Sequence, residues 1–208
     1  MNKINKIGEP ISLTTFKINN PTLVYGDLTY GNEFIRKDIR VSCVKEQYYL
    51  CVYCCDRITL SSCHNEHIIP QSDSLGQTLT LDYNNIVASC QSSNHCGHKK
   101  KNQLINLTPL DLNCENDIIY QLNGKMTHTT QDAQQTISVL NLRNNGLVYK
   151  RRTVIDLILF EYVDDLNDLK IENKEYLEEI IADLSQPDLN GKLEAFSPVI
   201  INVIKQIF

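Results

Sequence analysis

Two cysteine pairs, Cys51-x-x-Cys54 and Cys90-x5-Cys96, are the first residues whose types and spacing can do chemistry. Four thiolates from two such pairs can close a tetrahedral shell around Zn²⁺ and leave no position open for water, so an ion there would be structural. A single Cys-x-x-Cys would also suit redox chemistry, and buried reduced thiols are the plain alternative; the second pair at this distance favours zinc. Between the pairs stands Glu66-His67-Ile68-Ile69-Pro70. Histidine suits a general base because it titrates near neutral pH, and a carboxylate suits a hard cation such as Mg²⁺. Phosphodiester hydrolysis needs both a base for water and a cation for the developing charge. Neighbours on a strand point to opposite faces, so Glu66 and His67 can share one site only at a strand end where the backbone turns. Downstream lie Tyr83-Asn84-Asn85-Ile86-Val87 and His98-Lys99-Lys100-Lys101. An asparagine doublet also marks turns, and a lysine run is also an ordinary solvated face. His64 precedes the dipeptide closely enough to suggest a second metal reading, which is set aside here, and His128 has no visible partner.

The order Cys-x-x-Cys, Glu-His-x-x-Pro, x-Asn-hydrophobic, Cys…Cys and His-Lys resembles the HNH endonuclease family, whose fold is a ββα-metal finger. The chain resembles more closely the HNH nucleases of the Septu and related retron anti-phage systems (PtuB type). Lys6-x-x-Glu9-Pro10, Gln47-x-x-Leu50-Cys51-x-Tyr53-Cys54, His95-Cys96-Gly97-His98-Lys99-Lys100, Cys114-Glu115, Asn123-Gly124 and Leu140-Asn141-Leu142 carry that match, over roughly residues 1–160. The resemblance implies His67 as general base, Asn85 (rather than Asn84) as the residue orienting it, and Glu66 as a ligand of a catalytic Mg²⁺ or Mn²⁺. His98 completes that metal site, with His95 as the alternative, because Gly97 stands where many relatives have asparagine. Structural Zn²⁺ falls to Cys51, Cys54, Cys90 and Cys96, and Lys99 and Lys100 would meet substrate phosphates. Cys55 stands where relatives often carry an acid. It and Cys43, Cys63 and Cys114 read as buried, inert thiols.

The elements that must position these residues are less plain. The fold class expected is α+β, a zinc-stapled ββα finger with flanking and C-terminal helices. Residues 1–47 form an N-terminal arm and helix, with an irregular stretch over 1–30 and a helix from Asn32 to Gln47. Residues 48–130 form the nuclease core, with β-like runs at Arg57–Leu60 and His67–Ile69 and a hairpin over Asp117–Leu122 and Lys125–Thr129, turned by Asn123-Gly124. Residues 131–208 repeat apolar positions at three and four and predict three to five helices, broken at Asn144-Asn145-Gly146, near Pro187 and near Pro198.

Charge divides the chain. Residues 1–104 carry 11 Lys/Arg against 9 Asp/Glu, whereas 105–208 carry 9 against 16. Between Asp156 and Glu194, 12 carboxylates face only Lys170, Lys174 and Lys192. A phosphate backbone is repelled there, so DNA belongs to the first half. The acidic helices suit docking onto a Septu-type (PtuA type) ATPase, the partner the resemblance implies, or plain solubility. Arg151 and Arg152 are assigned to that interface or to the DNA path. No G-x-x-x-x-G-K-[ST] run is present, so direct ATP binding is not expected. No signal-peptide core or membrane-length apolar stretch is read, and the cytoplasm is the expected location. Rival readings are a non-catalytic zinc-stapled adaptor and an HNH nuclease that cuts RNA or works as a stand-alone restriction or toxin enzyme.

Overall fold

The computed structural model describes residues 1–207. Its elements in chain order are α1 (Ile11–Asn19), α2 (Glu33–Glu46), β1 (Cys63–His67), α3 (Ser74–Thr78), β2 (Ile86–Cys90) and α4 (Gly97–Lys100). They continue with β3 (Ile118–Tyr120), β4 (Met126–His128), α5 (Gln131–Val139), α6 (Asn145–Leu159), α7 (Lys174–Leu184) and α8 (Ser197–Ile204). Two antiparallel hairpins, β1–β2 and β3–β4, sit among helices. The fold is therefore mixed α+β with small sheets. No helix among the described residues is long and apolar enough to cross a membrane.

The stretch expected to be irregular over 1–30 contains, at its centre, the nine-residue helix α1. Its sequence, ISLTTFKIN, is poor in strong helix formers, and Pro10 precedes its first turn without breaking it. Burial of Leu13 and Phe16 is what holds it, a tertiary contribution that local propensity does not register. α2 buries Ile35, Ile39, Cys43 and Val44 along one stripe. β3 and β4 are joined through Asn123-Gly124, where Gly124 has φ +77°, a conformation that favours glycine. A side chain at 124 would also strike the Val148 carbonyl oxygen at 2.3 Å.

Four α-helices, α5 to α8, run from Gln131 onward among the described residues. Asn144 caps α6 by accepting from the Gly146 and Leu147 amides, and Pro198 sits in the first turn of α8, where its missing N–H costs nothing. One continuous buried cluster runs from Met1 to Ile204. The C-terminal helices contribute directly to it. Phe196 N–H donates to the Cys55 carbonyl at 2.8 Å, and the Tyr120 amide donates to Asn202 Oδ1 at 2.9 Å. Arg151 is wholly buried, donating to the Gly124 and Leu142 carbonyls. It clamps the β3–β4 turn to α6 and reaches neither a partner surface nor a DNA path. Arg152 is exposed and pairs with Asp156 at 3.5 Å.

Candidate active site and metal centres

The hairpin that carries the chemistry has an apolar strand and a polar one. β2 (IVASC) is buried throughout, with β-branched Ile86 and Val87 at its start. β1 (CHNEH) has little strand propensity of its own and is held by the ladder, register Cys63↔Cys90 through His67↔Ile86. The outer edge of β2 is satisfied by side chains rather than by another strand. The Gln47 amide exchanges two 2.8 Å hydrogen bonds with Ala88, and Lys6 Nζ donates to the Ile86 carbonyl at 2.6 Å while pairing with Glu46. Lys6 and Gln47, two residues of the family-like pattern, are thus clamps on the sheet edge.

The four sulfurs of Cys51, Cys54, Cys90 and Cys96 lie within 4.8 Å of one another, all buried. Tetrahedral Zn–S bonds of about 2.3 Å put the sulfurs about 3.8 Å apart, and Cys51 and Cys96 are separated by 3.8 Å. The first pair sits in a knuckle closed by the Leu50–Arg57 bridge, with Cys55 at φ +64° turning the chain and its N–H donating to the Cys51 carbonyl. The second pair joins the end of β2 to the first turn of α4. Hydrogen bonds from its three neighbours pull the Cys90 thiol down, while burial and those same neighbours push Cys96 well up. Four thiols this close compete for one negative charge, and a divalent cation removes the conflict. The cluster could therefore hold zinc. His95 Nδ1 lies 3.1 Å from Cys96 Sγ and 3.9 Å from Cys90 Sγ, so His95 sits beside the four-thiol cluster. All eight cysteines are unpaired and buried.

Alternation along β1 separates the Glu-His dipeptide. His67, 7 % exposed, faces Tyr25 edge-on with ring centroids 4.8 Å apart. Its Nε2 is 2.9 Å from the Thr80 carbonyl oxygen. A carbonyl only accepts, so the neutral ring carries its proton on Nε2 and leaves the Nδ1 lone pair available. Gln71 Nε2 approaches that lone pair at 3.3 Å. Burial pulls the His67 pKa below its ordinary value, outweighing the Thr80 hydrogen bond and the Glu66 charge. The result is a neutral imidazole with one basic nitrogen.

Asn85 does not bond to this ring. Its Oδ1 accepts from the Ile69 amide at 2.8 Å and its Nδ2 donates to the Ile69 and Leu79 carbonyls. It closes the long loop between β1 and β2, and that loop presents the Thr80 carbonyl. Its action on His67 runs through the backbone, because its amide is consumed by the loop it closes.

Glu66 points to the other face, toward α4. Lys100 Nζ donates to Glu66 Oε1 at 3.0 Å and to the His67 carbonyl at 2.8 Å. Burial alone would raise the Glu66 carboxyl, but the His64 hydrogen bond and the Lys100 ammonium reverse the sign and hold it below its ordinary value. Lys100 is fully buried. It therefore anchors Glu66 and the strand end and is not open to a phosphate; Lys99 beside it is exposed. α4 is so short that its fourth residue points back under its own first turn into the hairpin, which the lysine run could not reveal. His98 is exposed and its Nε2 lies 2.7 Å from Gln91 Oε1, with its ring 4.4 Å from that of His64.

His64, set aside on the sequence alone, belongs to this face. Two positions before Glu66 on the same strand, it shares Glu66's face, and its Nε2 lies 3.2 Å from Glu66 Oε2. The two-residue strand period was the signal available. Beneath the pair lies Gly97. A Cβ there would fall 2.6 Å from Glu66 Oε2 and 2.7 Å from His64 Nε2, so the missing side chain leaves a hollow that these two atoms themselves reach into.

No family model matches the chain. It is 27% identical, over 157 residues that cover 69% of this chain and 77% of the relative, to a protein of Vibrio cholerae serotype O1 biovar El Tor named "Retron Vc95 putative HNH endonuclease". The similarity supports the HNH endonuclease family and, with it, a nuclease.

Proposed function

We propose that this chain is a metal-dependent HNH endonuclease that hydrolyses DNA phosphodiester bonds in an anti-phage defence system of the Septu or retron type, under control of an ATPase partner. One observation carries it: His67 is a neutral imidazole whose proton is pinned to Nε2 by the Thr80 carbonyl, at the end of a hairpin that also presents Glu66. The run β1, β2, α4 is then the metal finger, braced by zinc on Cys51, Cys54, Cys90 and Cys96.

Glu66 would hold the Mg²⁺ or Mn²⁺ ion, with Oε1 fixed by Lys100 and Oε2 facing the hollow over Gly97. Such an ion neutralises charge on the scissile phosphate and on the leaving oxygen. His67 Nδ1 takes the proton from the attacking water as Gln71 moves aside, and hydrolysis leaves 5′-phosphate and 3′-hydroxyl ends. Lys99 meets a flanking phosphate. Asn85 positions the loop that keeps the imidazole in its tautomer.

Partner control is supported by the C-terminal helices. Tyr149, Leu157 and Phe160 are exposed along α6 at spacings of eight and three, one side of the helix, amid the acidic module. A protein surface suits such a stripe better than a polyanion. The test is cleavage of plasmid DNA with Mg²⁺ or Mn²⁺, using protein copurified with the ATPase encoded beside it. Wild type should cut, and His67→Ala should lose about 10²–10⁴ in rate with zinc content unchanged. Equal cutting by both overturns the general-base assignment. Biological protection retained by His67→Ala would favour the adaptor reading.

A further inference from the structure

We propose that His64 is a protein ligand of the catalytic cation, sharing it with Glu66 across the hollow over Gly97, in place of His98; the inference rests on the nuclease reading above. Two donors cis to one another on an octahedral ion, each about 2.1 Å from it, lie about 3 Å apart. His64 Nε2 and Glu66 Oε2 are 3.2 Å apart. Both face the space a side chain at 97 would fill. The other atoms of the pair are accounted for. Glu66 Oε1 belongs to Lys100, and His64 Nδ1 is buried without a hydrogen-bond partner, so Nε2 and Oε2 are the atoms presented to the hollow.

His98 has a different task. Its Nε2 engages Gln91 and its ring lies tilted by 44° against His64, bracing the His64 ring from the solvent side. One imidazole nitrogen and one carboxylate oxygen make a mixed donor set, which moves preference from Mg²⁺ toward Mn²⁺.

The measurement is Mn²⁺ titration of the zinc-loaded full-length protein, following the paramagnetic resonance signal of the unbound ion. Zinc content and circular dichroism serve as fold controls. His64→Ala should weaken Mn²⁺ binding by about tenfold or more, whereas His98→Phe, which keeps the ring and removes both nitrogens, should bind like wild type. Gly97→Ala fills the hollow without altering a ligand and should also abolish binding, and it carries the test if His64→Ala does not fold. Wild-type affinity in both His64→Ala and Gly97→Ala overturns the proposal, as does loss confined to His98→Phe. No Mn²⁺ binding by wild type overturns both this proposal and the cation-dependent reading. His64-dependent binding without DNA cleavage, with the ATPase present, keeps the ligand and rejects the nuclease.

Discussion

The four-thiol cluster and the His64–Glu66 pair meet at consecutive residues, Cys96 and Gly97, yet they are built in opposite ways. The first gathers four identical soft donors, buried on every side, and nothing else can reach an ion held there. The second sets two unlike groups, an imidazole and a carboxylate, on one face of one strand, braced by His98 and Lys100. A closed donor set fixes the chain, and a one-sided set leaves positions for water and phosphate. α4 is short enough to serve both, since its first turn starts at a thiol and its last residue holds Glu66 in place.

The sharpest way to break this contrast is to open the closed site. Cys96→Ser should reduce zinc from stoichiometric to none, by elemental analysis, and abolish cooperative thermal unfolding, by calorimetry. Structural zinc contributes about 10–16 kcal/mol of apparent binding energy. It should take Mn²⁺ binding with it, because α4 no longer has an anchor. The reverse does not hold: a variant of the open site should leave zinc in place, and zinc loss in His64→Ala would dissolve the distinction.

A smaller effect is expected at Lys100, which ends α4 against Glu66. Lys100→Met leaves the Glu66 carboxylate partly buried with its main cation gone, a change that costs about 3–5 kcal/mol for a buried pair. Urea unfolding measures it, and Glu66→Gln in the same chain should recover most of the loss. No recovery would mean that Lys100 acts through the His67 carbonyl instead.

The smallest effect lies in pH. The His67 pKa is lowered from 6.5, so the general base stays neutral at that pH and cleavage should fall only as pH drops through a value below it. Stability follows the same sign. The unfolded chain takes up the proton first, so folding free energy is full above 6.5 and declines as the medium is acidified. An acid limb above 6.5 would place the rate-controlling group elsewhere.

Much of this was legible from residue types, and the gaps have definite causes. The cysteine spacing pointed to four thiols that the fold does bring together, because each pair is local and each lies beside a tight turn. The Asn123-Gly124 turn was legible for a similar reason, as a positive φ is chemically expensive anywhere but glycine. α1 was missed because its stability lies in Leu13 and Phe16 packing on distant residues. Lys100 and Arg151 were misread in the same manner. A sequence shows a cation but not whether carbonyls elsewhere in the chain will take it inside. His64 was legible in principle, through strand alternation, but its significance depended on an absent atom at position 97.

The loop between the two strands of the first hairpin has an effect on how this protein can vary. The site of the His67 proton is written in the course of the main chain, since it is the Thr80 carbonyl that accepts it, and every amino acid placed at 80 brings the same carbonyl. Natural drift at that position keeps the acceptor, although the buried Thr80 hydroxyl also accepts from the amide of Tyr25, whose ring faces the imidazole. Insertions, deletions and prolines around it are another matter: they displace the acceptor itself. A tolerance map of this region would therefore show the imidazole's acceptor surviving exchanges of side chain at 80 but no change in length.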